Sequence, residues 1–352
     1  MESVFKKSDT NVIKGVAVCL LLWHHLFYNV NVIESSFSSF NISQIISYYS
    51  KVCVAIFIIL SGYGLAKSYH LNKYSIGIFY KKHFKKLYLN YWIIWLIFIP
   101  TGIIFFGRTF RIVYENHIII KLILNIFGVQ KIFSFNGYNE TWWFMSLIVG
   151  LYAIFPIIYN LMKKHSQLCL ILSFLLMFVP QYAFHHIALL FVYGAWTFPF
   201  VFGIYLSNNK IIEKCSGILI NKRKRKLLIY IFIMAILMLC RKYGIGLKDI
   251  RVDTFYGFII ILISYEYLAK VRFLSKFLVI LGEHSFNIFL FHTFIFKYYF
   301  NTFIYSFKFP IIIFMVLLII CLFISIVIER IKVFIAHGFK QHSLITLKNK
   351  TT

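Results

Sequence analysis

Acidic residues are scarce in this chain: eleven Asp and Glu stand against 37 Lys and Arg in 352 residues, a formal net charge of +26. The acids fall at positions 2, 9, 34, 115, 140, 213, 249, 253, 266, 283 and 329. None lies within the first six apolar runs, so acid–base chemistry there has to be run by histidine, whose imidazole titrates near neutrality. Charge of either sign is also sparse, at 14% of residues, where a soluble domain carries about a quarter. With 61% hydrophobic residues and a mean hydropathy of +0.80, this excludes an ordinary soluble domain and gives a polytopic membrane protein. In a soluble chain the basic excess would point to nucleic acid. Here the cations sit mainly in short loops, where they set topology and meet anionic lipid, so membrane lipids are expected partners and nucleic acid is not. The six cysteines, at 19, 53, 169, 215, 240 and 321, are scattered, with no CxxC or Cys/His cluster. Neither a disulfide framework nor a metal site is expected. No HExxH, serine elbow or phosphate-cradling glycine loop occurs. No small-residue cleavage site follows the lysines at the start, which predicts a retained first helix. No repeat or linker divides the chain, so one membrane-embedded domain is expected over 1–352, with a core of about 11–330 and a basic cytoplasmic tail over 331–352.

What is abundant is apolar sequence. About ten segments approach the ~20 residues that cross the hydrocarbon of a bilayer: 12–30, 50–67, 87–106, 142–161, 167–184, 187–206, 227–240, 254–269, 277–296 and 309–328. The fifth and sixth are separated only by His185-His186. With the N-terminus taken as cytoplasmic, 25 Lys and Arg fall in inside segments and 11 in outside ones. The positive-inside rule then puts both termini in the cytoplasm. The basic 241–251 loop is the weakest part of that assignment. The fold class expected is therefore an all-α integral membrane protein, a bundle of about ten transmembrane helices. The stretch 107–141 is too short for a domain of its own and long enough for a partly helical lid.

Candidate chemistry begins in the first run, where Lys14 precedes His24 and His25. Eleven residues are close to three helical turns, so Lys14 and His25 share a face about 16 Å apart, with His24 pointing about 100° away. Ionisable groups inside a span are costly and mark function. In the second run, Ser61-Gly62 and Gly64 are small residues of the kind that ordinary helix packing uses, and they would also allow close approach of a slender substrate. Lys81, Lys82, Lys85 and Lys86 form a positive platform for phosphates, or a plain positive-inside anchor. The run 221–226 reads as topology and lipid contact. Trp142 and Trp143 open the fourth run, either as an interfacial belt or as an aromatic platform beside a sugar cleft. The ninth holds Glu283, His284, Ser285, Asn287 and His292, a dense polar set for an apolar run; Ser285 and His292 share a helix face.

These pieces in this order resemble the acyltransferase-3 family of integral membrane acyltransferases. The family's first-helix cation, ten residues, then histidine is met by Lys14 and His25, with Lys where the family typically has Arg. Leu60-Ser61-Gly62-Tyr63 matches its small-residue signature, and Lys81, Lys82 and Lys85 match its basic pair and third cation. Trp143-Phe144-Met145-Ser146 with Tyr152 and Pro156 matches its Trp-to-Pro segment. Leu281-Gly282, Ser285 and His292 match its late segment. The resemblance spans residues 11 to about 330. Lysine in place of arginine keeps the charge and loses bidentate phosphate recognition, and the acidic residues many bacterial members carry in the fourth span are missing. The resemblance implies an acetyl group passed from cytoplasmic acetyl-CoA, the donor substrate, to a hydroxyl of an envelope or exopolysaccharide glycan or lipid-linked glycan, in a bacterial cytoplasmic membrane. His25 would be the base or a transient acyl carrier, and Lys14, its partner in the catalytic pair, would hold the donor's phosphates at the cytoplasmic mouth with the 81–86 cluster. Lys81, Lys82, Lys85 and Ser61 would bind donor, and Trp143, Ser146, Ser285 and His292 would bind acceptor. The competing class is a non-enzymatic flippase, exporter or lipid-glycan carrier with histidines for proton coupling. Such carriers are often built from repeats, which are not visible here. A glycan polymerase or ligase would be expected to have larger outer loops. Self-association into a homo-oligomer is left open.

Overall fold

In the computed structural model, residues 5–28, 38–178, 188–219, 222–244 and 250–348 are described. The His185-His186 break and positions 245–249 of the basic loop lie outside them. Every regular element among the described residues is helical. In chain order the helices are α1 (Lys7–Phe27), α2 (Ser38–Ser50), α3 (Cys53–Asn72), α4 (Ile76–Phe106), α5 (Phe110–Tyr114), α6 (Ile118–Ile126), α7 (Trp143–Lys164) and α8 (Ser166–Leu176). They continue with α9 (Ala188–Asn208), α10 (Ile211–Gly217), α11 (Arg223–Tyr243), α12 (Ile250–Glu266), α13 (Arg272–Glu283), α14 (Ser285–Thr293), α15 (Asn301–Tyr305) and α16 (Pro310–Lys348).

Six helices among the described residues are long and apolar enough to cross a membrane, and a seventh span results if the bent pair α13/α14, angled by 65°, counts as one. That makes the chain a multi-pass membrane protein. The all-helical membrane architecture expected from the sequence thus stands, and each of the ten apolar segments overlaps a helix. Of the fifth, 167–184, the described residues reach 178 and hold the 11-residue helix α8.

Burial sorts the helices. In α1 the buried positions include Val12, Ile13, Gly15, Ala17, Val18, Leu21, Leu22, His24, Leu26 and Phe27, which fall on every side of the helix. Such a helix belongs in the centre of a bundle. The apolar windows of α4 and α16 are only 33% buried, against 61% for α1. Ile104, Phe105 and Phe323 on these two helices are exposed, as lipid-facing side chains should be.

Glycines set two close crossings. A Cβ on Gly15 would lie 2.3 Å from the Leu278 carbonyl oxygen, and one on Gly282 would lie 1.9 Å from that of Asn11. Helices α1 and α13 therefore touch backbone to backbone. The same reciprocity joins α3 and α9: Gly62 faces the Phe200 carbonyl at 2.2 Å and Gly203 faces that of Ile59 at 2.1 Å. Of the two readings of Gly62, close helix packing is the one its surroundings fit.

A buried ion pair ties α11 to α12. Arg241 donates through Nε to Asp253 Oδ1 at 2.7 Å and through Nη2 to Oδ2 at 3.3 Å, with both side chains fully buried. Its Nη1 also donates to the Tyr48 carbonyl oxygen at 2.5 Å. Removing one partner strands a charge in the interior, so Asp253→Ala is expected to destabilise the protein by about 3–5 kcal/mol. Unfolding in detergent, followed by tryptophan fluorescence against wild type, checks this.

Candidate functional site

The C-terminal end of α1, the start of α7 and the stretch after α14 converge on one cavity. Its volume is about 410 Å³, and its walls include His24, His25, Glu140, Trp143, Lys297 and Tyr305. It is larger than a few waters and within the size of a small-ligand pocket.

Each wall is held by its own local chemistry. Asn139 is the centre of the second wall. Its Oδ1 accepts from Thr141 N at 3.0 Å, Thr141 Oγ1 at 2.9 Å and Thr293 Oγ1 at 2.8 Å, while its Nδ2 donates to the Leu290 carbonyl at 3.3 Å. Trp142 Nε1 donates to the same carbonyl at 2.8 Å. The 3-10 turn Glu140–Trp142 is thereby locked to α14, and Trp143 is set facing the cavity with its ring stacked on Trp196 at 6.1 Å. Trp142 is fully buried against Tyr91, so it is a packing residue and forms no part of an interfacial belt. The third wall is a π-helix, Phe294–Tyr299, a wide turn that proteins often place at functional sites. It carries Lys297, whose ammonium meets Glu140 Oε2 at 2.5 Å, both side chains about half exposed.

Behind this wall, 107–142 folds as two short helices and two 3-10 turns, the partly helical stretch expected there. Arg108 Nη2 donates to the Tyr138 carbonyl at 2.8 Å, and Tyr138 Oη donates to the Arg108 carbonyl at 2.5 Å. Burial pushes the Tyr138 phenol up to about 12 against the opposing pull of Arg108. It stays protonated at neutral pH and keeps donating. Arg108 also lies over the Tyr298 ring, 3.8 Å from its centroid.

Three histidines gather at the first wall. The His25 ring is 5.0 Å from that of His24 and 4.9 Å from that of His292, centroid to centroid. The 100° helical offset sets His24 away from the Lys14/His25 face, yet it lies beside His25 and lines the same cavity, because both are in the last turn of α1 where the bundle opens. It is tethered, however. His24 Nδ1 lies 2.8 Å from the Ser47 carbonyl oxygen, which can only accept, so Nδ1 carries the proton.

Lys14 lies outside the cavity lining. It is within electrostatic reach of Lys86 and Lys7, and Lys86 in turn reaches Lys332 of α16. Lys81, Lys82 and Lys85 are exposed; Lys82 bonds the Tyr74 hydroxyl, and that bond lowers the phenol from its ordinary range. Lys86 is exposed as well, and it is the member of the basic platform within electrostatic reach of Lys14. Ser61 bonds Tyr152. Ser146 is buried and donates to the Gly128 carbonyl at 2.7 Å, pinning the 128–131 turn. Ser285 is buried in α14. None of these three serines lines the cavity, whereas Trp143 does and His292 stands against it through His25. Glu140, Lys297, Asn301 and Tyr305 are wall residues that the sequence patterns do not single out. The pairing of Glu140 with Lys297 joins positions 157 apart, which no local pattern signals.

Near the Lys14 end a second polar cluster crosses between helices. Asn287 Nδ2 donates to Glu329 Oε1 at 2.7 Å, and Lys332 Nζ donates to Asn287 Oδ1 at 2.9 Å. His284 Nδ1 lies 2.8 Å from Ser325 Oγ. Among the described residues, no three His, Cys, Asp or Glu side chains converge as a metal site.

A membrane bundle with a histidine cavity at one end of its central helix fits enzyme and carrier alike. What separates them is a match over nearly the whole chain: the family model of an acyltransferase domain, Acyl_transf_3, covers residues 8–330. The chain belongs to the acyltransferase-3 family. No curated protein and no solved structure matches it. Membership makes the chain a membrane acyltransferase; donor, acceptor and base are properties of the cavity and its residues, since a fold alone does not determine them.

Proposed function

We propose that the chain transfers an acetyl group from acetyl-CoA to a hydroxyl of a cell-envelope glycan or lipid-linked glycan, with His25 as general base. The observation that carries this is the half-buried His25 ring in a cavity that offers an aromatic face, Trp143, and polar groups at Glu140, Asn301 and Lys297. Sugars are bound by such a mixture, an apolar face for ring carbons and directed polar groups for hydroxyls.

The step is balanced without further reagents. His25 takes the acceptor hydroxyl proton as its oxygen attacks the thioester carbonyl. The C–S bond then breaks, and the thiolate leaves with the proton His25 had taken. The donor's phosphates would meet Lys14 and Lys86 at the other end of α1, with Lys332 nearby. In this orientation both termini of a bundle of about ten spans lie in the cytoplasm of a bacterial cell, as one membrane-embedded domain, and the cavity opens on the acceptor side. Burial of Arg241 against Asp253 supports that topology, since it takes one cation of the basic 241–251 loop out of the loop.

Lys86→Ala is expected to raise KM for acetyl-CoA by about tenfold or more, as loss of one charge-assisted bond to phosphate would. The triple variant of Lys81, Lys82 and Lys85 to alanine stays within about threefold. Initial rates over a donor titration decide between them. Sidedness is tested in oriented proteoliposomes, with labelled acetyl-CoA on one face and glycan acceptor on the other. Label crossing into glycan only from the Lys14 face supports the reading. Donor consumption from the cavity face alone overturns it.

A further inference from the structure

His292 is buried completely, and its Nδ1 lies 2.9 Å from the Ile288 carbonyl oxygen and 3.0 Å from that of Phe289. Carbonyl oxygens only accept, so Nδ1 carries the proton and Nε2 is left as a bare lone pair. That Nε2 is buried and has no hydrogen-bond partner among the described residues. The Phe289 and Phe296 rings neighbour it, at 6.2 Å and 6.1 Å between centroids. Among the described residues, a polar ring next to it is that of His25, 4.9 Å away and tilted by 53°. Imidazole nitrogens lie roughly 1.1 Å from the ring centre, so two rings joined by an N–H···N bond of about 2.9 Å have centroids up to about 5.1 Å apart. The observed separation is inside that range, so the two rings are close enough for such a bond.

We propose that His292 is a positioning residue: its bare Nε2 accepts a hydrogen bond from one His25 nitrogen and so fixes the other His25 nitrogen as the lone pair facing the cavity. The inference rests on the acyl-transfer reading for its purpose, though the pairing itself does not depend on it. The logic is that of a base oriented by a third group, with a neutral imidazole where a carboxylate usually stands. An acid is not needed in that place. The carboxylate on the cavity wall, Glu140, is already engaged by Lys297. A neutral acceptor also suits an apolar pocket, where an unpaired carboxylate would carry a large desolvation cost. The backbone makes the acceptor rigid: two carbonyls hold the His292 ring, and the Asn139 network holds the helix that carries it.

The test uses full-length protein in lipid nanodiscs with isotope-labelled histidine, His25 signals being assigned by their loss in His25→Gln. Wild type is expected to show one His25 tautomer. His292→Phe is expected to give a mixture of both, and His292→Gln, whose amide oxygen can accept, to restore one. His24, pinned by the Ser47 carbonyl, is the folding control: its tautomer stays constant in every correctly folded variant. If His292→Phe loses that control, His292→Leu replaces it in the same comparison. Two tautomers in wild type, or one unchanged tautomer in a folded His292→Phe or His292→Leu protein, overturns the pairing. Label transfer from acetyl-CoA is measured alongside, with a fall of roughly 10²-fold in kcat at unchanged donor KM expected for the Phe variant and partial recovery for Gln. Tautomers that behave as expected in proteins that never consume acetyl-CoA leave the pairing standing and remove the acetyl-transfer reading.

Discussion

His25→Ala lowers the rate of acetyl transfer by about 10²–10⁴-fold, the range for loss of a positioned general base, while His24→Ala keeps it within about tenfold. The two residues are neighbours in sequence and in the cavity wall, so cavity shape alone does not separate them. Tethering does. His24 already spends its Nδ1 proton on the Ser47 carbonyl, a bond whose loss costs about 1 kcal/mol and loosens α2 from α1. His25 shares its surroundings with His292 instead, ring against ring at 4.9 Å. Steady-state rates of the two variants, with unfolding midpoints in the same detergent, check both halves: a rate loss for His25→Ala and a stability loss for His24→Ala. Equal rate losses in two stable proteins would place the base on neither ring alone.

Gly282→Ala has the second large effect, and it arises about a helix length from the histidines. The added methyl carbon would stand 1.9 Å from the Asn11 carbonyl oxygen, which is backbone and cannot swing away. Helix α1 or α13 must move, at a cost of about 1–3 kcal/mol or more. Since α1 carries His25 and α13 leads through the bend into the His292 helix, the two rings separate. A displacement of about 1 Å at reacting groups costs roughly 10²-fold in rate. Gly64→Ala is the matched control, because a Cβ there has no neighbour within 4 Å among the described residues; it leaves both rate and stability near wild type. Thermal midpoints and donor-dependent rates of the two alanine variants, purified side by side, measure the difference.

Much of this bundle is legible in the sequence, because apolar length and loop charge act locally. The Lys14-to-His25 spacing places both on one face of the central helix, about three turns apart, and Trp143 and His292 stand out as polar-edged residues in apolar runs. The rest depends on helix phase and on bends. Four lysines between 81 and 86 fall within two turns of α4 and point in several directions, so only the folded chain shows that Lys86 is the one within electrostatic reach of Lys14. His24 joins the cavity because α1 ends there, which its 100° offset does not convey. The 65° bend between α13 and α14 brings His292 to His25 and carries Lys297 to Glu140. Trp142 and Trp143 read alike in sequence; the bond from Trp142 Nε1 to the Leu290 carbonyl turns one inward and leaves the other facing the cavity.

The most direct measurement is release of free CoA thiol from acetyl-CoA by wild-type protein in nanodiscs, with and without a pool of envelope glycans, while label is followed into the glycan. Thiol release that rises with glycan and matches the label transferred, and that disappears in His25→Ala, is the result expected of a His25-dependent acetyltransferase. A folded wild-type protein that neither releases thiol nor transfers label, across the same glycan pool, contradicts it and leaves the carrier reading in its place.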